Sequence, residues 1–146
     1  MKYKSIKDAM DKGKGEVSIR GWVHRERGSN KIKFIVLRDS TNIIQCVLKK
    51  DYFKKSWSEI DGIQIETSMK ITGIIKKDKR APSGYEVVVK KYVVVGSSDS
   101  FPITKGQSAE FLLDNRHLWL RSRKMTAVMK IRSTYSQARE EFFKKE

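Results

Sequence analysis

The chain has a single cysteine, Cys46, among 146 residues, and only two histidines, His24 and His117. One cysteine excludes an intramolecular disulfide and any cysteine-based metal cluster. Neither histidine stands at ligand spacing from another histidine, the cysteine or a carboxylate pair, so no metal site is expected. The same scarcity, with no strand-to-helix nucleophile elbow, argues against a hydrolase triad. The nine glycines do not gather into a phosphate-binding loop or a dinucleotide fingerprint. No apolar run approaches the roughly 18 residues of a membrane span. The N-terminal "MKYKSIKDAMDKGKGE" lacks the apolar centre of a signal peptide. A soluble, cytoplasmic binding module without a cofactor or catalytic residues of its own is the expectation.

Acidic residues are also few. Seventeen Asp and Glu face 32 Lys and Arg, leaving a net charge of +15 that is spread along the chain. A surface of that sign favours a polyanion, above all nucleic acid. The plainer alternative is charge that merely keeps the chain soluble.

What is present is mostly strand. "SIKDAMDKG" reads as one short helix, with Ser5 or Asp8 near its start and Gly13 at its end. "EVSIRGWVHRER" then alternates Val17, Ile19 and Val23 against Arg20, Trp22 and His24, with Gly21 placed where a bent strand needs room. "KIKFIVLRD" and "NIIQCVLKK" flank "DST" as a hairpin. "YFKKSWSEI" is a helical connection. "TSMKITGIIKKD" is a fourth strand, and the β-branched "YEVVVKKYVVVG" a fifth. "KKDKRAPSG", between them, is a basic loop.

Three strands, a helix, then two strands is the order of the five-stranded Greek-key barrel called the OB-fold, with a small SH3-like barrel as the alternative. An OB-fold holds oligonucleotides on its second and third strands and its loops, including the one between strands four and five. The barrel should occupy residues 1–95, a hinge 96–123, and a C-terminal helix 124–146. In that helix Val128, Ile131, Tyr135, Ala138 and Phe142 form one apolar stripe of about five turns, which needs a covering partner.

One residue is out of place. In "NIIQCVLKK", if Ile44, Cys46 and Leu48 point into the barrel, Gln45 stands on the outer face. An amide there offers a donor and an acceptor to the edge of a splayed base. Phe34 on the adjacent strand is either a stacking platform or core, and alternation leaves both readings open. Gln45 is equally read as a solvated strand residue. Arg20, Lys76, Lys77, Lys79 and Arg80 are candidates for phosphate, although several of the chain's basic residues, Arg25, Arg27 and Arg38 among them, read equally as surface-solvating charges. Trp22 and Tyr85 read as structural.

"IRGWVHRER", followed by "FIVLRDSTNIIQCV" and "APSGYEVVV", resembles the anticodon-binding domain of the class IIb aminoacyl-tRNA synthetases, the aspartyl, asparaginyl and lysyl group. "FPITKGQSAEFLLDNRHLWLRS" and "KIRS" narrow the resemblance to asparaginyl-tRNA synthetases, since aspartyl enzymes more often read "RYLDLR" where this chain has "RHLWLR". The resemblance implies that Phe34 stacks the central anticodon uridine and Gln45 reads it. It implies that Glu86 recognises the first base, a guanine, and that Arg25 and Arg27 lie near the anticodon backbone and bases. It also implies a longer parent that is a homodimer and uses ATP and magnesium to join asparagine to its tRNA. The three signature motifs of the class II catalytic domain are missing here, so residues 124–146 should be that domain's first helix and the piece should bind tRNA without charging it. An aspartyl enzyme's domain, a general single-strand-binding module and a dimerisation element built on the C-terminal stripe are the rival readings.

Overall fold

The computed structural model describes residues 3–145; Met1, Lys2 and Glu146, which fall within the ranges expected for the barrel and the last helix, lie outside the described residues. The chain divides into two compact units, Met1–Phe101 and Pro102–Glu146.

The first unit is a barrel. Helix α1 (Ile6–Lys12) starts at Ser5, whose side chain accepts a hydrogen bond from the Asp8 amide, and ends at Gly13 with φ of 70°. Such a positive φ suits glycine at a helix C-terminus. Five strands follow: β1 (Gly15–Gly28), β2 (Ile32–Arg38), β3 (Ile43–Lys49), β4 (Ser68–Lys77) and β5 (Tyr85–Gly96). They close in the order β1-β2-β3-β5-β4, with β3 and β5 parallel and the other pairs antiparallel. This is the expected mainly β, five-stranded OB-fold barrel. The connection from β3 to β4 is shorter in helix than "YFKKSWSEI" suggests: two 3₁₀ turns lead into a five-residue α2 (Trp57–Asp61).

Closure demands that strands tilt and coil tightly. Following one row of paired residues from Gly15 through Ile75, Val87, Cys46 and Ile35 returns to β1 at Glu26, so each trip round the barrel advances far along the strand. Two glycines permit the coiling. A Cβ on Gly21 would sit 2.1 Å from the Arg38 carbonyl oxygen, and one on Gly73 would sit 2.2 Å from that of Val88.

The core is aliphatic. Ile19, Ile35, Leu37, Ile44, Leu48 and Ile71 are completely buried, and α1 and α2 add Ile6, Ala9, Trp57 and Ile60 to the same cluster. Each such side chain contributes roughly 1.5–3 kcal/mol of burial. Lys33 also turns inward. Its ammonium, almost fully buried, meets Glu26 at 2.6 Å and the Asp61 carbonyl at 3.0 Å.

In the second unit, the stretch expected as hinge contains two short helices, α3 (Ala109–Asp114) and α4 (Arg116–Trp119). The C-terminal helix α5 spans Arg123–Phe143, capped by the Ser122 side chain. Its stripe is bare: Val128, Ile131, Tyr135 and Phe142 are 45–71% exposed. No described helix is long and apolar enough to cross a membrane.

Candidate nucleic-acid interface

A β-bulge decides which side chains share the outer face. Strand alternation puts Val17, Ile19 and Val23 inside, and unbroken alternation would send Arg25 and Arg27 inside after them. The β1–β2 register instead shifts between Val23 and Arg25, leaving His24 as the extra residue. Arg25 then pairs with Val36 and Arg27 with Phe34. Both arginines thereby join the outward set of β2, as bulges next to functional sites commonly arrange.

From there two adjacent rows cross the sheet. Arg25, Val36, Gln45, Glu86 and Lys76 are consecutive partners in one, and Arg27, Phe34, Val47, Val88 and Ile74 in the other. Phe34 is outward and partly exposed, so it is not part of the barrel core. The Arg27 guanidinium lies 5.0 Å from its ring centroid. Gln45 is outward as expected from alternation, yet it is only 4% exposed, and its neighbours Val36 and Val47 are buried too. The outer face here is a covered surface, unlike a solvated strand.

Burial obliges the polar groups to pair. The Gln45 carbonyl oxygen accepts from Arg27 Nη2 at 3.3 Å, and Gln45 Nε2 donates to Glu86 Oε2 at 3.2 Å. Glu86, itself buried, meets Lys76 Nζ at 3.0 Å through its other oxygen. The four side chains thus form a relay of alternating charge, cation to amide to carboxylate to cation. Sequence reasoning placed Arg27, Gln45 and Glu86 at the site but gave Lys76 only a phosphate role. The signal that links Lys76 to Glu86 is register, which a single strand's pattern does not carry.

The remaining candidates scatter. Lys77 and Lys79 are exposed at the loop between β4 and β5. Arg80, in the same loop, is committed to Asp78 at 3.1 Å, and its hydrogen bond and charge hold the Asp78 carboxyl below its ordinary range. Arg20 lies outside the two rows. It lines a separate concavity of about 580 Å³ together with Tyr3, Trp22 and Lys70, with its guanidinium 5.6 Å from the Tyr3 ring centroid. Trp22, read as structural, is 47% exposed there. Burial pushes the Cys46 thiol far up, consistent with an inert core position. Among the described residues no group of three or more His, Cys, Asp or Glu is placed to hold a metal ion.

A closed five-stranded barrel with an aromatic, an amide and basic residues on one outer face has the build of a module for unstacked nucleic acid. The chain belongs to the OB-fold nucleic acid binding domain family, whose model matches residues 17–95. Over most of its length it is similar to curated asparagine–tRNA ligases. That of Thermoplasma acidophilum is 50% identical over 129 residues, covering 88% of this chain and 30% of the relative. That of Streptococcus mutans is 42% identical over 151 residues, covering 97% and 34%. The crystal structure of asparaginyl-tRNA synthetase from Pyrococcus horikoshii complexed with asparaginyl-adenylate superposes with a TM-score of 0.86 at 33% identity, covering 99% of this chain and 35% of that one. The resemblance drawn from the sequence motifs is borne out. The chain spans about a third of the length of the relatives it matches.

Proposed function

We propose that this chain is the part of an asparagine–tRNA ligase that grips the anticodon loop of its tRNA. Phe34 supplies the stacking surface for the central uridine, Gln45 reads that base, and Glu86 accepts hydrogen bonds from a guanine at the first position. Arg25, Arg27 and the exposed Lys77 and Lys79 meet phosphates. The single observation that carries this reading is the pair of adjacent rows that brings Arg25, Arg27, Phe34, Gln45 and Glu86, which lie far apart in sequence, onto one face.

The longer protein would form a homodimer in the cytoplasm and use asparagine, ATP and magnesium to charge the tRNA. The metal and nucleotide chemistry is assigned to that longer protein, and none of it to the residues of this chain. The present chain binds tRNA without charging it.

Fluorescence-anisotropy titration with anticodon stem-loops bearing GUU, GUC and GCU tests the reading. GUU binds tightest. Changing its central uridine to cytidine weakens binding to the wild type and has a much smaller effect on Gln45→Ala. Removing the platform in Phe34→Ala costs roughly 1–3 kcal/mol, the value of one stacked base. Equal affinity for all three loops would reduce the chain to a general single-strand holder.

A further inference from the structure

A glutamine is an ambivalent reader. Its amide presents one donor end and one acceptor end, and turning it by half a rotation exchanges them. Uracil offers an acceptor at O4 beside a donor at N3–H, whereas cytosine offers a donor at the 4-amino group beside an acceptor at N3. For a base held in one position on a stacking platform, the two pyrimidines therefore call for opposite orientations of the same amide. A freely turning glutamine would accept both.

Gln45 does not turn freely. A donor, Arg27 Nη2, sits at its oxygen end, and an acceptor, Glu86 Oε2, sits at its nitrogen end. Rotating the amide would set its NH₂ against the guanidinium and its oxygen against the carboxylate, in a place where Gln45 and Glu86 are nearly inaccessible to water. Unsatisfied or opposed polar groups are costly when buried. Lys76 completes the arrangement by holding the far oxygen of Glu86 at 3.0 Å.

We infer that Arg27, Glu86 and Lys76 lock the polarity of the Gln45 amide, and that this lock makes the site prefer uracil over cytosine. Lys76 is then a positioning residue that acts through Glu86. The hydrogen-bond capacity left over fits this role. Gln45 keeps one N–H and one oxygen lone pair free, a match to O4 and N3–H of uracil. Each Glu86 oxygen keeps a lone pair beyond its present partner, a match to the N1–H and 2-amino donors of guanine. By donor and acceptor count, neither base requires a bond of the relay to be broken.

The inference rests on the anticodon-reading proposal, and its test separates the two. Affinities of the 146-residue chain for GUU and GCU stem-loops are compared for wild type, Glu86→Gln, Lys76→Met and Lys76→Arg, with GUC as a control. The wild type should favour GUU over GCU by about tenfold or more, the scale of one good base-edge contact. Glu86→Gln, its amide oxygen turned to Lys76 and its NH₂ to Gln45, removes the acceptor that holds the Gln45 amide in its present orientation, so the GUU to GCU preference should shrink to within about threefold, by the same reckoning. Lys76→Met should shrink it partly and Lys76→Arg restore it, while the GUU to GUC ratio stays fixed in all variants. Should Glu86→Gln fail to fold, Lys76→Met, whose side chain is more than half exposed, carries the test. A wild type that prefers GUU while Glu86→Gln and Lys76→Met weaken GUU and GCU by equal factors would overturn the lock alone. A wild type indifferent to the central base would overturn the lock together with the reading it rests on.

Discussion

Gln45 and Lys33 invert the usual sense of inside and outside. A glutamine on the outer face is 4% exposed, while a lysine two strand positions from a core isoleucine points into the barrel at 5%. Lys33 is the reason Phe34 was undecidable from sequence. In "KIKFIV" the apolar alternates with the basic, and by hydropathy alone the apolar set goes inward; the barrel does the reverse because its end supplies Glu26 and a carbonyl to the ammonium. Gln45 was more legible, since Ile44, Cys46 and Leu48 form an uninterrupted inward set around it. Its burial was not, because that depends on Val36 and Val47 and on charges from three other strands. The Lys33–Glu26 pair, buried at the lysine and open to solvent at the glutamate, has an energetic consequence. Removing both its charges should be tolerated better than removing one, because desolvation of an ion pair offsets much of its attraction. Glu26→Gln is expected to destabilise by about 1–3 kcal/mol, softened by the partial exposure of Glu26. Lys33→Met in the same background should recover most of that loss. Urea unfolding midpoints of the single and double variants check this.

The elements depend on contacts that a pattern read along one strand does not contain. The bulge at His24 has no glycine or proline to announce it, yet it sets the direction of Arg25 and Arg27. Gly21 was legible as the point of a bend, whereas the equal importance of Gly73 emerges only from the closeness of β5. Gly73→Ala would drive a Cβ to 2.2 Å from a backbone oxygen, which cannot swing aside as a side chain would. A loss of about 3 kcal/mol or more is expected, at the upper end for overpacking. Asp39 joins α1 to the β2–β3 turn. One of its oxygens accepts from the Ile6 amide at 2.7 Å, the other from Thr41 and Asn42. Burial alone would raise its carboxyl, but the hydrogen bonds from the Thr41 hydroxyl and the Ile6, Asn42 and Thr41 amides outweigh it and hold the group below its ordinary value. A carboxyl lowered on folding stabilises at pH above its unfolded value near 3.9, and that stability is lost as pH falls through the lower, folded value. Asp39→Asn should cost about 1 kcal/mol at neutral pH and flatten the fall in stability below about pH 4. Thermal unfolding measured across pH 2–7 would show it.

For the whole molecule, the barrel order was legible because strand periods and turn residues are local signals, and the net charge pointed to a polyanion without saying where one sits. The division after Phe101 and the short helices at Ala109 and Arg116 were less so, since "SSDSFPITKGQ" reads as plain linker. On the proposed function, the charge of +15 and the two rows that carry Phe34, Gln45 and Glu86 make separable contributions to binding. Cations on the surface release counterions from RNA, and each neutralised phosphate in a single strand steepens the log-log salt slope by about 0.7. If the exposed lysines and arginines neutralise about four phosphates, raising salt from about 50 to 200 mM should weaken stem-loop binding roughly 50-fold. Lys77→Gln and Lys79→Gln should each make the slope shallower by about 0.7 and weaken GUU, GUC and GCU loops alike. Gln45→Ala should leave the slope unaltered and erase the discrimination at the central base. Lys76→Met distinguishes the two roles within one residue: a phosphate contact would lower the slope and spare specificity, whereas a residue that holds Glu86 in place changes the preference for uridine and leaves the slope within about 0.3 of the wild type, below the step expected of one phosphate. Titrations at four salt concentrations on the same three loops measure both quantities at once.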